Sequence, residues 1–230
     1  MSITRTIFSI TIITLLSFTK AGPAHFPQPS GSRLTDEDLT VSYSIGLKSK
    51  KDNAGIGEAY NGGVKTIFIS KGQARLRLVS LMRMQSIFIL SGSDRQQRVA
   101  ILKESGGKKY KFYLTTDEWK QYNKKYDGVA CRITDDTAMI LHYICKKAVV
   151  TLKTGDMITV YYTPAIQRPV LALADPAFSC IPGLVLKYEY KYRKGTIVYT
   201  ATTVTKGVID PEVFSVPDRG FLLKKYAPAP

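Results

Sequence analysis

His142 and Cys145 stand three residues apart in the stretch LHYIC, the residue types from which a cysteine nucleophile and its base could be built. His25, the other histidine, falls near the chain start, so His142 is the single candidate base for a hydrolytic triad. If the stretch is a regular strand, side chains alternate and His142 and Cys145 project to opposite faces, which rules out their pairing. Asp135 and Asp136 offer two carboxylates for general acid/base work, but in ITDDTA they read as turn-formers bonding their own backbone. Asp36, Glu37 and Asp38 form an acidic run in a leader and read as solvated. Cys131, Cys145 and Cys180 match no zinc-binding spacing, and no phosphate loop or dinucleotide glycine motif occurs. The chemistry-bearing residues therefore predict a protein that is not an enzyme and has no metal or cofactor.

The elements that hold these residues are mainly β. Short runs of Val, Ile, Thr, Tyr and Phe are separated by turn pairs at Lys71-Gly72, Gly106-Gly107, Thr154-Gly155 and Lys194-Gly195. Strands are predicted near 40–48, 64–70, 74–82, 84–91, 97–104 and 109–114. A second set follows near 128–134, 139–152, 156–163, 183–193 and 196–206. The short links favour an antiparallel meander. One helix is predicted over 116–125, with Thr115 and Glu118 as a capping box, Leu114 and Trp119 as a staple, and Trp119, Tyr122 and Tyr126 as its apolar stripe. Pairing Lys153 with Asp156 across the Thr154-Gly155 turn would give a ribbon with apolar side chains on both faces. One face would carry Ile144, Ala148, Val150, Leu152, Met157 and Tyr161; the other would carry Cys145, Val149, Ile158, Val160 and Tyr162. Such a ribbon must be covered on both sides. Gly183, beside Pro182, reads as a bend where the chain enters a strand.

Composition bounds the setting. The 230 residues are 44% hydrophobic, enough for a sizeable core. Arg5, an apolar run from Ile7 to Phe18 and small residues at Ala21 and Ala24 have the layout of a secretory signal peptide over 1–24. That run is shorter than the ~20 residues a spanning helix needs, and nothing later in the chain is longer, so the exported product is expected not to span a membrane. Loss of Arg5 and Lys20 takes the formal charge from +15 to +13. A solvated basic surface, or one attracted to an anionic envelope polymer, fits that charge, and nucleic acid is not an expected partner. The expected organisation is a flexible leader over 25–39, a single domain over 40–220 and a tail over 221–230.

Two long stretches also resemble a known family. ITDDTAMILHYICKKAVVTLKTGDMITVYYTPAI (133–166) and IPGLVLKYEY (181–190) look like the paired motifs of the GLPGLI-type secreted proteins of Gram-negative bacteria. SKGQARLRLVSLM and KKYKFYLTTDEWKQYNKKY are similar to the rest of the pattern, so the resemblance covers about residues 40–220. His142 and Cys180 depart from it, each where the family has Gly. The resemblance implies periplasmic or envelope location, no assigned activity, and a fold similar to periplasmic lipoprotein carriers: a strongly curved antiparallel sheet or open half-barrel with a helix over it. It also places Cys180 near the curved sheet, which implies a Cys145–Cys180 disulfide. Cys131 is the alternative partner, although a turn at Asp135-Asp136 would set it opposite Ile140, too far from Cys145 to bond.

Two function classes remain. A carrier would hold a lipid, an acyl chain or a lipoprotein inside the curved sheet, lined by Leu81, Met82, Met84, Ile87, Phe88, Leu90 and Trp119, with the methionines supplying an adaptable apolar surface. A structural envelope protein would instead fill that interior with the same residues and hold anionic polymers on its basic exterior. Composition alone does not separate a lined cavity from a filled core.

Overall fold

The structure is a computed structural model that describes residues 37–49, 60–81, 83–90, 98–192 and 195–227, all within the unit Ser32–Pro230. The expected signal peptide, most of the expected leader, and Met82 lie outside the described residues. The chain runs through β1 (Leu39–Ser49), β2 (Val64–Ser70), β3 (Gln73–Ser80), β4 (Arg83–Ile89), β5 (Val99–Ser105) and β6 (Lys108–Leu114). Helix α1 (Thr116–Tyr122) follows, then β7 (Ala130–Ile140), β8 (Tyr143–Thr151) and β9 (Met157–Thr163). The last elements are α2 (Val170–Ala174), β10 (Leu184–Tyr192), β11 (Gly195–Lys206) and the two-residue β12 (Leu222–Leu223).

All twelve strands join one open sheet, in the order β12-β6-β5-β4-β3-β2-β1-β11-β10-β9-β8-β7. Every pairing is antiparallel except β12 with β6. The mainly β, curved-sheet expectation with minor helix is met. Tight turns make it possible: Lys71-Gly72 and Gly106-Gly107 have positive φ at both positions, the twist that suits a two-residue hairpin. Gly195 pairs with Tyr192 and so belongs to β11 rather than to the expected Lys194-Gly195 turn, whose position 194 lies outside the described residues.

Alternation along the strands creates two faces. The inner face carries Leu39, Val41, Tyr43, Ile45, Ile67, Ile69, Leu76, Val150, Val160 and Leu186, all buried together with Trp119 and Ala174 of the helices. The outer face of β3–β6 carries a smaller cluster, Phe88, Ala100 and Leu102, covered by Val216 and Phe221 of the C-terminal segment. Residues 221–226 are therefore not a free tail: Leu222 and Leu223 pair with Tyr110 and Lys111, and Tyr226 packs edge-on against Tyr122. At the other end, Asp38 is not a solvated leader acid, whereas the Glu37 side chain is exposed as expected. Asp38 Oδ2 accepts from Ile209 N at 2.9 Å, and the Glu37 carbonyl accepts from Arg168.

The capping box forms as expected, with Thr115 Oγ1 accepting from Glu118 N and Glu118 Oε2 accepting from Thr115 N. The helix is shorter than predicted. Asn123 donates its side-chain amide to the Trp119 carbonyl, and a single 3-10 turn, Lys124–Tyr126, replaces the last helical turn. The second helix, α2, was not expected, because five residues of the type VLALA show no helical period.

Three expectations fail through register. First, Thr151 pairs with Met157 rather than Lys153 with Asp156, and the loop between them is closed by Leu152 N donating to Asp156 O. This one-residue slip brings Ile158, Val160 and Tyr162 onto the face of Ala148 and Val150, so the ribbon has one buried face; Met157 is 61% and Ile144 68% exposed. Second, Asp135 and Asp136 are not a turn. They sit in a β-bulge between Ile133 and Thr137, β7 runs on to Ile140, and the turn is Leu141-His142, both with positive φ. His142 is therefore a turn residue, not a mid-strand one. Third, the disulfide is Cys131–Cys180, and Cys145 is free and buried. With the turn six residues later than assumed, Cys131 lies opposite Val150 instead of Ile140, at the end of β7 that the Cys180 segment reaches.

Gly183 has a further constraint beyond a bend. A Cβ there would fall on the Thr163 carbonyl oxygen, so β9 and the start of β10 approach each other backbone to backbone.

Candidate functional site

The residues singled out from sequence do not line one groove. Ile87 packs with the inner core, as does Trp119, whereas Phe88 and Leu90 belong to the outer cluster, because neighbours on β4 alternate. Met84 shares the outer face and its sulfur accepts from Arg77 Nη2 at 3.8 Å. Leu81, in the β3–β4 turn, is 86% exposed. Trp119 is buried as expected, and its indole N–H donates to the Leu173 carbonyl at 2.9 Å, which fastens α1 to α2. Asp136 pairs with Lys147 at 2.8 Å on the surface.

A different constellation sits in the middle of the inner face. Lys65 follows the inward register of Ile67 and Ile69 and is buried, where a strand of this pattern would place another aliphatic residue. Its Nζ donates to Asp175 Oδ2 at 2.6 Å and to Tyr188 Oη at 3.3 Å. The same ammonium lies over the rings of Tyr43, Tyr188 and Tyr199, 5.7, 5.2 and 5.9 Å from their centroids. Tyr188 and Tyr199 stack at 4.3 Å, and Phe178 meets Tyr188 edge-on. Tyr43 Oη donates to the Val185 carbonyl at 2.7 Å, beside the bulge between Val185 and Lys187.

Asp175 ends α2 and precedes a 3-10 turn, Pro176–Phe178, so the ion pair joins the strand β2 to the helical segment that covers the inner face. Burial works against the charge on Lys65, but the Asp175 carboxylate together with Tyr43 and Tyr199 outweighs it, and the lysine is held above its ordinary pKa. Burial pushes the Tyr43, Tyr188 and Tyr199 hydroxyls upward, so all three stay neutral. A charged, paired lysine among neutral phenols is suited to fastening two elements or to holding an anionic group. It is not suited to abstracting a proton near neutrality, for which a neutral amine would be needed. Among the described residues no group of three or more His, Cys, Asp and Glu could hold a metal ion, and no helix is long and apolar enough to cross a membrane.

Sequence reasoning missed this cluster, although one signal was present: Lys65 interrupts the apolar alternation of VKTIFIS on its inward side. Its partner Asp175 lies 110 residues away and carries no local mark.

No family model matches the chain, and no curated protein matches it. Among solved structures it is similar to PNGF-II in its P21 crystal form, at 17% identity and a TM-score of 0.48 over 83% of this chain and 32% of that one. The C2 form of PNGF-II gives 17% identity and 0.47, over 83% and 31%. MucB gives 10% identity and 0.36, over 81% and 59%. This chain thus spans about a third of the length of PNGF-II.

Proposed function

We propose that this chain is an exported, non-catalytic cell-envelope protein that receives an apolar or acyl group between the inner face of its sheet and the cover made by α1 and α2. The observation that carries this reading is the fastening of the cover. An aliphatic and aromatic inner face lies beneath a five-residue helix whose polar ties are few: Lys65 to Asp175 at its end, and Trp119 Nε1 to the Leu173 carbonyl. Opening of the cover would expose an apolar face of the kind that binds acyl chains without a catalytic group. The neutral phenols and the charged lysine support the non-catalytic side of the reading.

The test is titration of the purified chain with fatty acids, phospholipids and a lipopeptide, following emission from Trp119, together with mass spectrometry of small molecules extracted after native purification. A saturable shift in emission and a copurifying acyl compound are expected. No response to any of these ligands would remove the carrier reading.

A second reading has its own observation. Lys108, Lys120, Lys124 and Lys125 are exposed on a chain of net charge +15, which favours retention on an anionic envelope polymer. Retention that disappears with salt while Trp119 emission never responds would support this reading instead.

A further inference from the structure

On the outer face of β3–β6 two cations reach the C-terminal segment and, among the described residues, have no carboxylate partner. Lys111 is buried, with 6% of its surface exposed, and its ammonium donates to the Pro217 carbonyl at 2.8 Å and the Asp218 carbonyl at 3.5 Å. Arg75 donates from Nη1 to the Val213 carbonyl at 3.0 Å and from Nη2 to Ser86 Oγ at 3.4 Å, while its guanidinium stacks on Phe88 at 4.8 Å. Its Nε is buried with no partner. Among the described residues neither cation has a carboxylate at ion-pair distance. Both thus meet neutral main-chain carbonyls of one segment, the C-terminal strap over 211–221, and Arg75 keeps an unpartnered Nε. Charge-assisted bonds to an anion are stronger than bonds to carbonyls, so a buried Lys111 and a half-buried Arg75 are better matched by an anionic group than by the strap.

The strap itself is weakly anchored. Between Pro211 and Ala227 only Phe214 is buried, and the regular ladder with β6 is two residues long. Beneath it, beside the cations, lie the apolar side chains of Phe88, Ala100 and Leu102. We propose that this outer face is a binding site for an anionic amphiphile, a phosphate head on an alkyl chain, and that the strap is its displaceable internal occupant. The head takes the place of the Val213, Pro217 and Asp218 carbonyls on Arg75 and Lys111, and the chain takes the place of Val216 and Phe221 over Phe88 and Leu102. The site lies on the opposite face of the sheet from α1 and α2 and does not rest on the carrier reading.

The experiment is hydrogen exchange by mass spectrometry on the full chain, with and without dodecyl phosphate below its micelle concentration. Faster exchange over 213–224 with a saturable dependence on dodecyl phosphate is expected. Lys111→Gln and Arg75→Gln should each weaken the apparent affinity at least tenfold, and Lys125→Gln should not. Because the two variants also lose strap contacts, their exchange without ligand is recorded as well. Strap loosening in the variants with undiminished affinity would reduce the cations to anchors and overturn the proposal. So would an unresponsive strap in the parent chain, equal response to dodecyl maltoside, or full reproduction of the effect by inorganic phosphate alone. An altered Trp119 emission with no change over 213–224 would support only the inner-face reading.

Discussion

Lys65 on β2 and Asp175 at the end of α2 form an ion pair of 2.6 Å in which the two partners are unequally buried, with 10% and 22% of their side chains exposed. Removing Asp175 strands a cation among three tyrosine rings, whereas removing Lys65 leaves a carboxylate that can turn toward water. Asp175→Asn is therefore expected to cost about 3 kcal/mol and Lys65→Met about 1 kcal/mol, since the methionine keeps the apolar stem. The double variant should recover most of the loss. Urea unfolding of the four proteins checks this, and equal single-variant costs would contradict it.

Cys131–Cys180 closes a loop with a sequence separation of 49 and ties the edge strand β7 to the segment before β10. Its reduction is expected to lower stability by roughly 3 kcal/mol through the freedom returned to the unfolded chain. Peptide mapping without reduction should recover Cys131 and Cys180 linked. Cys145, whose thiol pKa is pushed up by burial, should take up iodoacetamide only after denaturation.

His142 occupies the second position of a turn at φ 53, following Leu141 at φ 52. Non-glycine residues are disfavoured there, so His142→Gly is expected to stabilise the chain by about 0.5–1 kcal/mol, as read by thermal or urea unfolding. A catalytic role for this imidazole would instead show as lost function in a more stable protein.

Asp38 anchors the start of β1 to the chain after β11, and its pKa is lowered by a side-chain hydrogen bond from Ser70 and by the Ile209 amide. A depressed folded pKa contributes stability above the unfolded value, near 3.8, and that contribution is lost as pH falls through the lower folded value. Acid titration should therefore raise amide exchange at Ile209 below about pH 3.8, and Asp38→Asn should show raised exchange there already at pH 7.

The capping box of Thr115 and Glu118, the burial of Trp119 and the hairpins at Lys71-Gly72 and Gly106-Gly107 depend on contacts within a few residues. Their cause is written locally, and the mainly β class follows from the same short-range alternation.

Register and long-range pairing were decided elsewhere. An extra residue in the 152–156 loop and a bulge at 134–136 each move strand pairing without altering local composition, and with them went the ribbon's faces, the turn at His142 and the identity of the disulfide. Lys65 was visible as a cation in an inward position, but a charge in a strand does not name its counter-charge. Only the closure of β1 onto β11 and the return of α2 across the inner face bring Tyr43, Tyr188, Tyr199 and Asp175 to it. Arg75 and Lys111 likewise meet the carbonyls of the C-terminal strap only through the tertiary fold. The sequence by itself determined most of the strand segments and where the capped helix starts, since backbone preference and side-chain period act over a few residues. The tertiary structure decided which side chains meet, because each meeting depends on the sum of every loop and bulge between them.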